Sequence, residues 1–262
     1  MPCAAVMRDR PGSQQPYFDR CCAIFNQFFK NHTKAGVLLL KCRNFSTMKK
    51  YGILLLGFLF LLSCSSHHLL LHPEHPDFSA QAPAQYQVQL ETTKGKILLE
   101  IKREWAPLGA DRFYNLVHHG YYDHAPLFRI VKDKWAQFGI AADGKIASAW
   151  RYQNIPDDPR VLSNERGTVA FAFKDSNART TQVFINLKDN SSTHDKVPFV
   201  PFARVIAGMD VVDSWYNGYG ETSGGGIRAG KQDSLFAQGN PYLQSHFPKL
   251  DHILKAYIYH RN

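Results

Sequence analysis

Between residues 86 and 258 the chain is cut into eight short apolar or alternating segments, and this pattern restricts its fold more than any other feature of the sequence. The segments cover residues 86–90, 97–101, 127–131, 135–138, 168–173, 183–187, 201–205 and 253–258. In the first, Tyr86, Val88 and Leu90 alternate with Gln87 and Gln89, the spacing of a strand with one face buried. Thr93-Lys94-Gly95 turns the chain back into the second. Two helices are predicted. Pro107 opens one, in which Ala110, Phe113, Leu116 and Val117 recur at three- and four-residue spacing before Gly120 ends it. A shorter one covers 209–216. Many short strands, two helices and no internal repeat predict an antiparallel barrel or sandwich, not a parallel sheet.

With 44% hydrophobic and 20% charged residues, the chain has the makings of a packed core. The net charge of +9 suggests a phosphate-binding surface until it is located. Nine of the 31 basic residues and two of the 22 acidic ones fall in the first fifty positions, which leaves 22 basic against 20 acidic in the rest. The segmented part therefore lacks a basic stripe, and no nucleic-acid partner is expected. All five cysteines (Cys3, Cys21, Cys22, Cys42 and Cys64) precede it, so it can hold no disulfide or cysteine-based zinc site. A domain without thiols suits an oxidising compartment. Neither a G-x-G-x-x-G fingerprint nor a G-x-S-x-G elbow occurs.

Upstream of the strands lies an address. Met48-Lys49-Lys50 precedes an apolar run over 53–62, interrupted only by Gly57, and Ser63-Cys64 closes it. A positive start, about ten apolar residues and a small residue at the end form a secretory signal too short to span a bilayer stably. Leu61-Leu62-Ser63-Cys64 resembles the lipobox of bacterial lipoproteins. That resemblance implies cleavage before Cys64 and lipid attachment to it, with several acyl chains, since one chain binds membranes only marginally. Ser65 after the cysteine implies a lipid-anchored protein of the bacterial cell envelope, on the periplasmic face of the outer membrane. The expected organisation is an upstream extension over 1–47, a signal peptide over 48–63, a flexible Pro/Ser/His-rich tether over 64–84, and the main domain over 85–262. A bipartite organelle presequence is the rival reading of the N-terminal region. His67, His68, His72 and His75 in the tether suggest a second rival, a metal-handling lipoprotein. Solvated spacing is the preferred reading of these histidines; no metal site and no cofactor are expected.

Four stretches, in order, resemble cyclophilins. Leu127-Phe128-Arg129-Ile130-Val131 through Trp135-Ala136-Gln137-Phe138-Gly139 is similar to the family segment that carries a catalytic arginine and a nearby glutamine. Thr168-Val169-Ala170-Phe171-Ala172 resembles the next strand, and Arg179-Thr180-Thr181-Gln182-Val183-Phe184-Ile185-Asn186 the strand after it. The run from Phe199 to Val212, with Phe202-Ala203-Arg204-Val205 and Gly208-Met209-Asp210-Val211-Val212, resembles the family's ending. Gly239-Asn240-Pro241-Tyr242-Leu243 and Phe247-Pro248-Lys249-Leu250-Asp251 resemble a divergent bacterial and plant branch. The resemblance implies a mainly β fold: an eight-stranded antiparallel closed barrel capped by two α-helices, with a substrate groove on its outer face.

It also implies an activity, peptidyl-prolyl cis/trans isomerisation of X-Pro segments in unfolded or exported proteins, by a monomer. The catalytic pair implied is Arg129 and Gln137. The substrate-binding residues implied are Phe184 as pocket floor, Trp135 as wall, and Gln182, Ala172, Phe128 and Phe199. This sequence departs from the family at Lys134, where a pocket phenylalanine is usual, and at Phe199, where a histidine is frequent. The loop 188–198 lacks the usual Trp or Leu; Thr193 or His194 falls nearby, and Phe173-Lys174 is bulkier than usual. The alternative function is a non-catalytic peptide-binding or chaperone lipoprotein on the same fold. Residues 221–239 read as an inserted surface loop.

Overall fold

A computed structural model describes residues 67–224 and 232–260. Cys64, the whole of the proposed signal over 48–63 and the upstream extension over 1–47 lie outside those residues. All eight predicted strands form: β1 (Gln85–Thr92), β2 (Gly95–Lys102), β3 (Arg129–Val131), β4 (Trp135–Phe138), β5 (Thr168–Phe171), β6 (Val183–Asn186), β7 (Pro201–Ala207) and β8 (Ile253–Tyr259). They make one sheet in the order β3-β4-β6-β5-β7-β2-β1-β8, and every neighbouring pair is antiparallel.

The sheet curls into a half-barrel without the complete closure expected. Its terminal strands β3 and β8 share no ladder among the described residues. Instead the segments just before them touch: Pro126 bridges His252, the Leu127 N–H donates to the Asp251 carbonyl at 2.9 Å, and the Ile253 N–H donates to Ala125 at 2.9 Å.

Alternation places the core. In β1, Tyr86, Val88, Leu90 and Thr92 are buried while their neighbours are partly exposed, and Leu99 and Ile101 of β2 face the same interior. Helix α1 (Pro107–His118) closes one end, with Ala110, Phe113, Leu116 and Val117 inward. The Phe113 ring lies 5.0 Å from Phe202, which lies 4.9 Å from Phe171. The residue before α1, Ala106, cannot cap it. Asp158 does so from a distant loop, its carboxylate accepting the Leu108 and Gly109 N–H groups at 2.9 Å each. Arg179, wholly buried, in turn pairs with Asp158 at 3.0 Å and with Asp157 at 3.3 Å.

There are more helices than the two predicted. Besides α1, the described residues include α2 (Gly144–Trp150), α3 (Ser191–His194), α4 (Met209–Asp213), α5 (Asp233–Gln238) and α6 (Asn240–His246). Helix α4 is the short helix expected at 209–216, ending earlier. Helix α2 is capped by Asp143, which accepts from Lys145 and Ile146, and α5 packs on it through Leu235 and Phe236. The described parts of the stretch 221–239, residues 221–224 and 232–239, are thus not a free surface loop: Leu235 and Phe236 supply apolar side chains that cover α2.

The stretch read as a flexible tether also departs from expectation over its described part, 67–84. Leu70, Phe78 and Ala82 are buried, and Phe78 packs edge-on against Trp150 at 4.7 Å. The Trp150 indole donates to Leu70 at 2.8 Å, Asn115 donates to the Phe78 and Ala80 carbonyls, and Asp111 accepts from Ala82. Three apolar side chains and this set of backbone bonds hold the segment to α1 and α2.

Candidate active site

The register of three strands puts the key side chains on one face. Arg129 of β3 lies opposite Gln137 of β4, and Gln137 lies opposite Phe184 of β6. Residues directly opposite in an antiparallel ladder share a face, so all three project to the outer side of the sheet. Their neighbours Ile130, Ala136, Phe138, Val183 and Ile185 fill the core. Trp135, two residues before Gln137, projects with it.

Arg129 is held on several sides. Its Nη1 donates to Gln137 Oε1 at 2.6 Å, and its Cζ sits 5.1 Å above the Trp135 ring. Its Nε and Nη2 donate to Glu221, at 3.0 Å to Oε2 from Nε and at 3.0 and 2.7 Å from Nη2. Gln137, only 4% exposed, passes the chain onward: its amide donates to Gln182 at 2.8 Å. Gln182 donates to Gln232 at 3.2 Å, and Gln232 to the Gly224 carbonyl at 3.3 Å. An arginine and three glutamines therefore form one hydrogen-bonded line across β3, β4, the start of β6 and the segment before α5.

Beside it lies a cluster of aromatic rings. Phe184, 4% exposed, meets Phe199 edge-on at 5.2 Å and His194 edge-on at 5.6 Å. His194 stands 4.9 Å from Phe199 and 5.8 Å from Trp135, and Phe173 lies 4.5 Å beyond Phe199. Burial pushes the His194 imidazole below its usual range, although Asp195 pulls it upward. The ring is therefore neutral near neutral pH.

Asparagines fix the loop that carries His194 and Phe199. Asn190 donates to Asn186 at 2.7 Å, and Asn186 to Thr168 Oγ1 at 3.0 Å. Asn164 donates to Asp195 and to the Phe199 carbonyl, both at 2.8 Å. Burial opposes the Asp195 charge, but bonds from Ser163 and Asn164 outweigh it and hold this carboxyl below the usual range.

The structure thus gathers Arg129, Gln137, Gln182, Trp135, Phe184 and Phe199 on one side of the sheet. Ala172, half-buried, lies at the end of β5, where its N–H donates to Gln182. Phe128 does not join them. It is fully buried in the core, because it adjoins Arg129 in a strand and so points to the opposite face. Lys134 is exposed, its ammonium 5.9 Å from the Trp135 ring, and so leans outward over the wall. Glu221 and Gln232 are additions that the motifs did not single out; Phe173, noted as bulkier than usual, joins the cluster through Phe199, and His194 resolves the ambiguous loop position. The tether histidines gather no ligand set: among the described residues no group of three or more His, Cys, Asp or Glu could hold a metal.

A curled eight-stranded antiparallel sheet carrying an arginine fork beside an aromatic cluster on its outer wall defines the class of β domain to which the chain is compared. Residues 87–230, more than half of the chain, match the family model described as cyclophilin type peptidyl-prolyl cis-trans isomerase/CLD. This chain belongs to that family. It is 30% identical over 143 residues to a peptidyl-prolyl cis-trans isomerase of Acinetobacter baylyi, spanning 53% of this chain and 76% of the relative. It is 35% identical over 136 residues to the isomerase cyp18 of Streptomyces antibioticus, spanning 48% and 81%. A cyclophilin type isomerase of Cryptosporidium parvum shares the fold at a TM-score of 0.51 and 17% identity, covering 68% of this chain and 99% of that one. Peptidyl-prolyl cis/trans isomerisation is accordingly the activity of the domain.

Proposed function

We propose that Arg129 drives isomerisation by donating to the proline nitrogen of a twisted X-Pro amide, with the ring seated against Phe184, Phe199 and His194. The observation that carries this reading is the placement of a hydrogen-bonded guanidinium beside a cluster of aromatic rings on one face of the sheet. Rotation about the peptide bond meets a barrier of about 18–20 kcal/mol, set by amide resonance. A donor to the nitrogen lone pair withdraws it from resonance, which stabilises the twisted state over both planar ones. Arginine suits the task because it stays charged at every working pH. Gln137 fixes the fork, Gln182 binds the peptide backbone, and Ala172 leaves room for the chain on the acyl side.

Arg129→Ala is expected to lower kcat/KM for a short Pro peptide by about a hundred- to a thousandfold, the value of a preorganised donor. The assay is cis/trans exchange by NMR without a coupled protease. Unchanged exchange in Arg129→Ala refutes the mechanism. Peptide binding by the wild type with no exchange favours the non-catalytic module instead.

The clients proposed are exported proteins, met at the periplasmic face of a membrane to which lipidated Cys64 anchors the domain. The signal-like run and the Leu61-Leu62-Ser63-Cys64 motif support this. Mass spectrometry of the mature N-terminus tests it: an acylated Cys64 is expected, and an unmodified N-terminus upstream of it refutes the anchor.

A further inference from the structure

Glu221 lies in the stretch that sequence reasoning took for a surface loop, yet it makes the most extensive contact to Arg129. Nε and Nη2 of the guanidinium both donate to its carboxylate, while Nη1 is left to Gln137. Arg129 and Glu221 keep only 16% and 26% of their side-chain surface, so the pair is shielded from solvent and salt more than an exposed one. A forked bond of this kind sets both the distance and the plane of the guanidinium.

The segment that carries Glu221 is itself pinned to β3. The Ser223 hydroxyl donates to the Phe128 carbonyl at 2.6 Å, one residue before Arg129. A Cβ at Gly224 would stand 2.8–3.0 Å from Cβ, Cγ and Cδ of Arg129, so only glycine lets the backbone lie along the arginine stem. Gln232 then returns to the Gly224 carbonyl and joins the glutamine line. The fork is thereby clamped on two edges: by Gln137 from the sheet and by Glu221 from the inserted segment.

We infer that Glu221 is a positioning and specificity-determining residue of the isomerase site, which fixes the Arg129 fork and cancels its charge toward approaching peptides. The inference rests on Arg129 being the proline-facing group. With the pair neutral, an acidic residue before the proline gains no attraction, and peptides with neutral or basic residues there are turned over at least as well. Removing the negative charge leaves an unbalanced cation on the rim, which attracts acidic peptides and repels basic ones.

The test uses the whole domain and three peptides, Ala-Xaa-Pro-Phe with Xaa as Lys, Ala or Glu, in the NMR exchange assay at low salt. Glu221→Gln is expected to lower kcat/KM for the Ala peptide about tenfold, through loss of the charge-assisted fork. It should also shift the Lys-to-Glu rate ratio about three- to tenfold toward Glu, and the shift should vanish near 1 M salt. Glu221→Asp should restore the wild-type ratio. A fall shared equally by all three peptides, with the ratio unmoved, means a merely structural role and overturns the inference. So does a rise on all three, which would mark Glu221 as a block. The salt series on the unmodified protein is independent of folding defects in the variants: a ratio that changes little with salt supports a neutral rim, and a steep change overturns it. If Arg129→Ala leaves exchange intact, the underlying isomerase mechanism fails; if it abolishes exchange while Glu221→Gln leaves the ratio unmoved, only this inference fails.

Discussion

Gly139, just past β4, is a position where a single methyl group should lower both stability and turnover. Its φ is +107°, a conformation side chains rarely adopt, and an added Cβ would stand 2.4 Å from the Thr181 carbonyl oxygen and 2.8 Å from Gln182 Cα. Both are backbone atoms, and they are not free to retreat. The Tyr122 hydroxyl donates to the Thr181 carbonyl at 2.9 Å, Thr181 Oγ1 donates to Gly139 at 2.8 Å, and the Tyr121 hydroxyl reaches Thr181 Oγ1 at 3.1 Å. Both tyrosines are buried. Backbone strain and overpacking together predict that Gly139→Ala costs about 3–5 kcal/mol. For a domain of this size that is a melting point lower by about 10 °C, readable by calorimetry or circular dichroism. Gln182 follows Thr181 directly, so relief of the clash stretches its 2.8 Å bond to Gln137. Exchange measured at 10 °C, where the variant is folded, should fall about tenfold or more, since misplacements near 1 Å carry costs of that order. A melting point lowered by less than about 2 °C, with undiminished exchange, would refute the idea of a fixed backbone crossing beneath the glutamines.

Three further outcomes are expected. Arg179→Leu leaves the buried Asp158 without its cation and should cost about 3–5 kcal/mol in urea unfolding; a loss under about 1 kcal/mol contradicts a stabilising pair. Phe78→Ala removes the buried ring that packs on Trp150 and should cost about 2–4 kcal/mol, whereas a flexible segment at 67–84 predicts no change. Burial holds His119, His194 and His252 below the usual histidine range. A folded state that binds fewer protons than the unfolded one is most stable above the unfolded value of about 6.5 and weakens as pH falls through the lowered folded values. Stability should therefore be flat above neutrality and decline from about pH 6.5 downward; a melting point that rises over that descent contradicts the sign.

The strands were legible because each carries its own signal, an apolar or alternating run bounded by turns, and the register then follows from which residues must face the core. Arg129, Gln137 and Phe184 were legible through family motifs, and their shared face follows from cross-strand pairing. Phe128 could have been set aside on sequence alone, since a residue adjacent to Arg129 in a strand faces the other way. The helix α2 was hidden because seven residues make less than two turns, too few for a periodicity to show. The packing of 67–84 was hidden by its Pro and His content, which masked the apolar Leu70 and Phe78. Glu221 left no local trace at all: it meets Arg129 across 92 positions of chain, and a carboxylate in a Gly/Ser-rich stretch reads as solvated.

β3 is a terminal strand of the sheet, three residues long and, among the described residues, in a ladder along one side only. Opening of that edge breaks few ladder bonds, so the amides of β3 are expected to exchange with solvent sooner than those of the inner strands. A proline peptide lying over the guanidinium should slow precisely those amides and few others. Deuterium uptake at residues 129–131 is therefore a footprint for clients too weakly bound to isolate, readable even where turnover is too fast or too slow to follow.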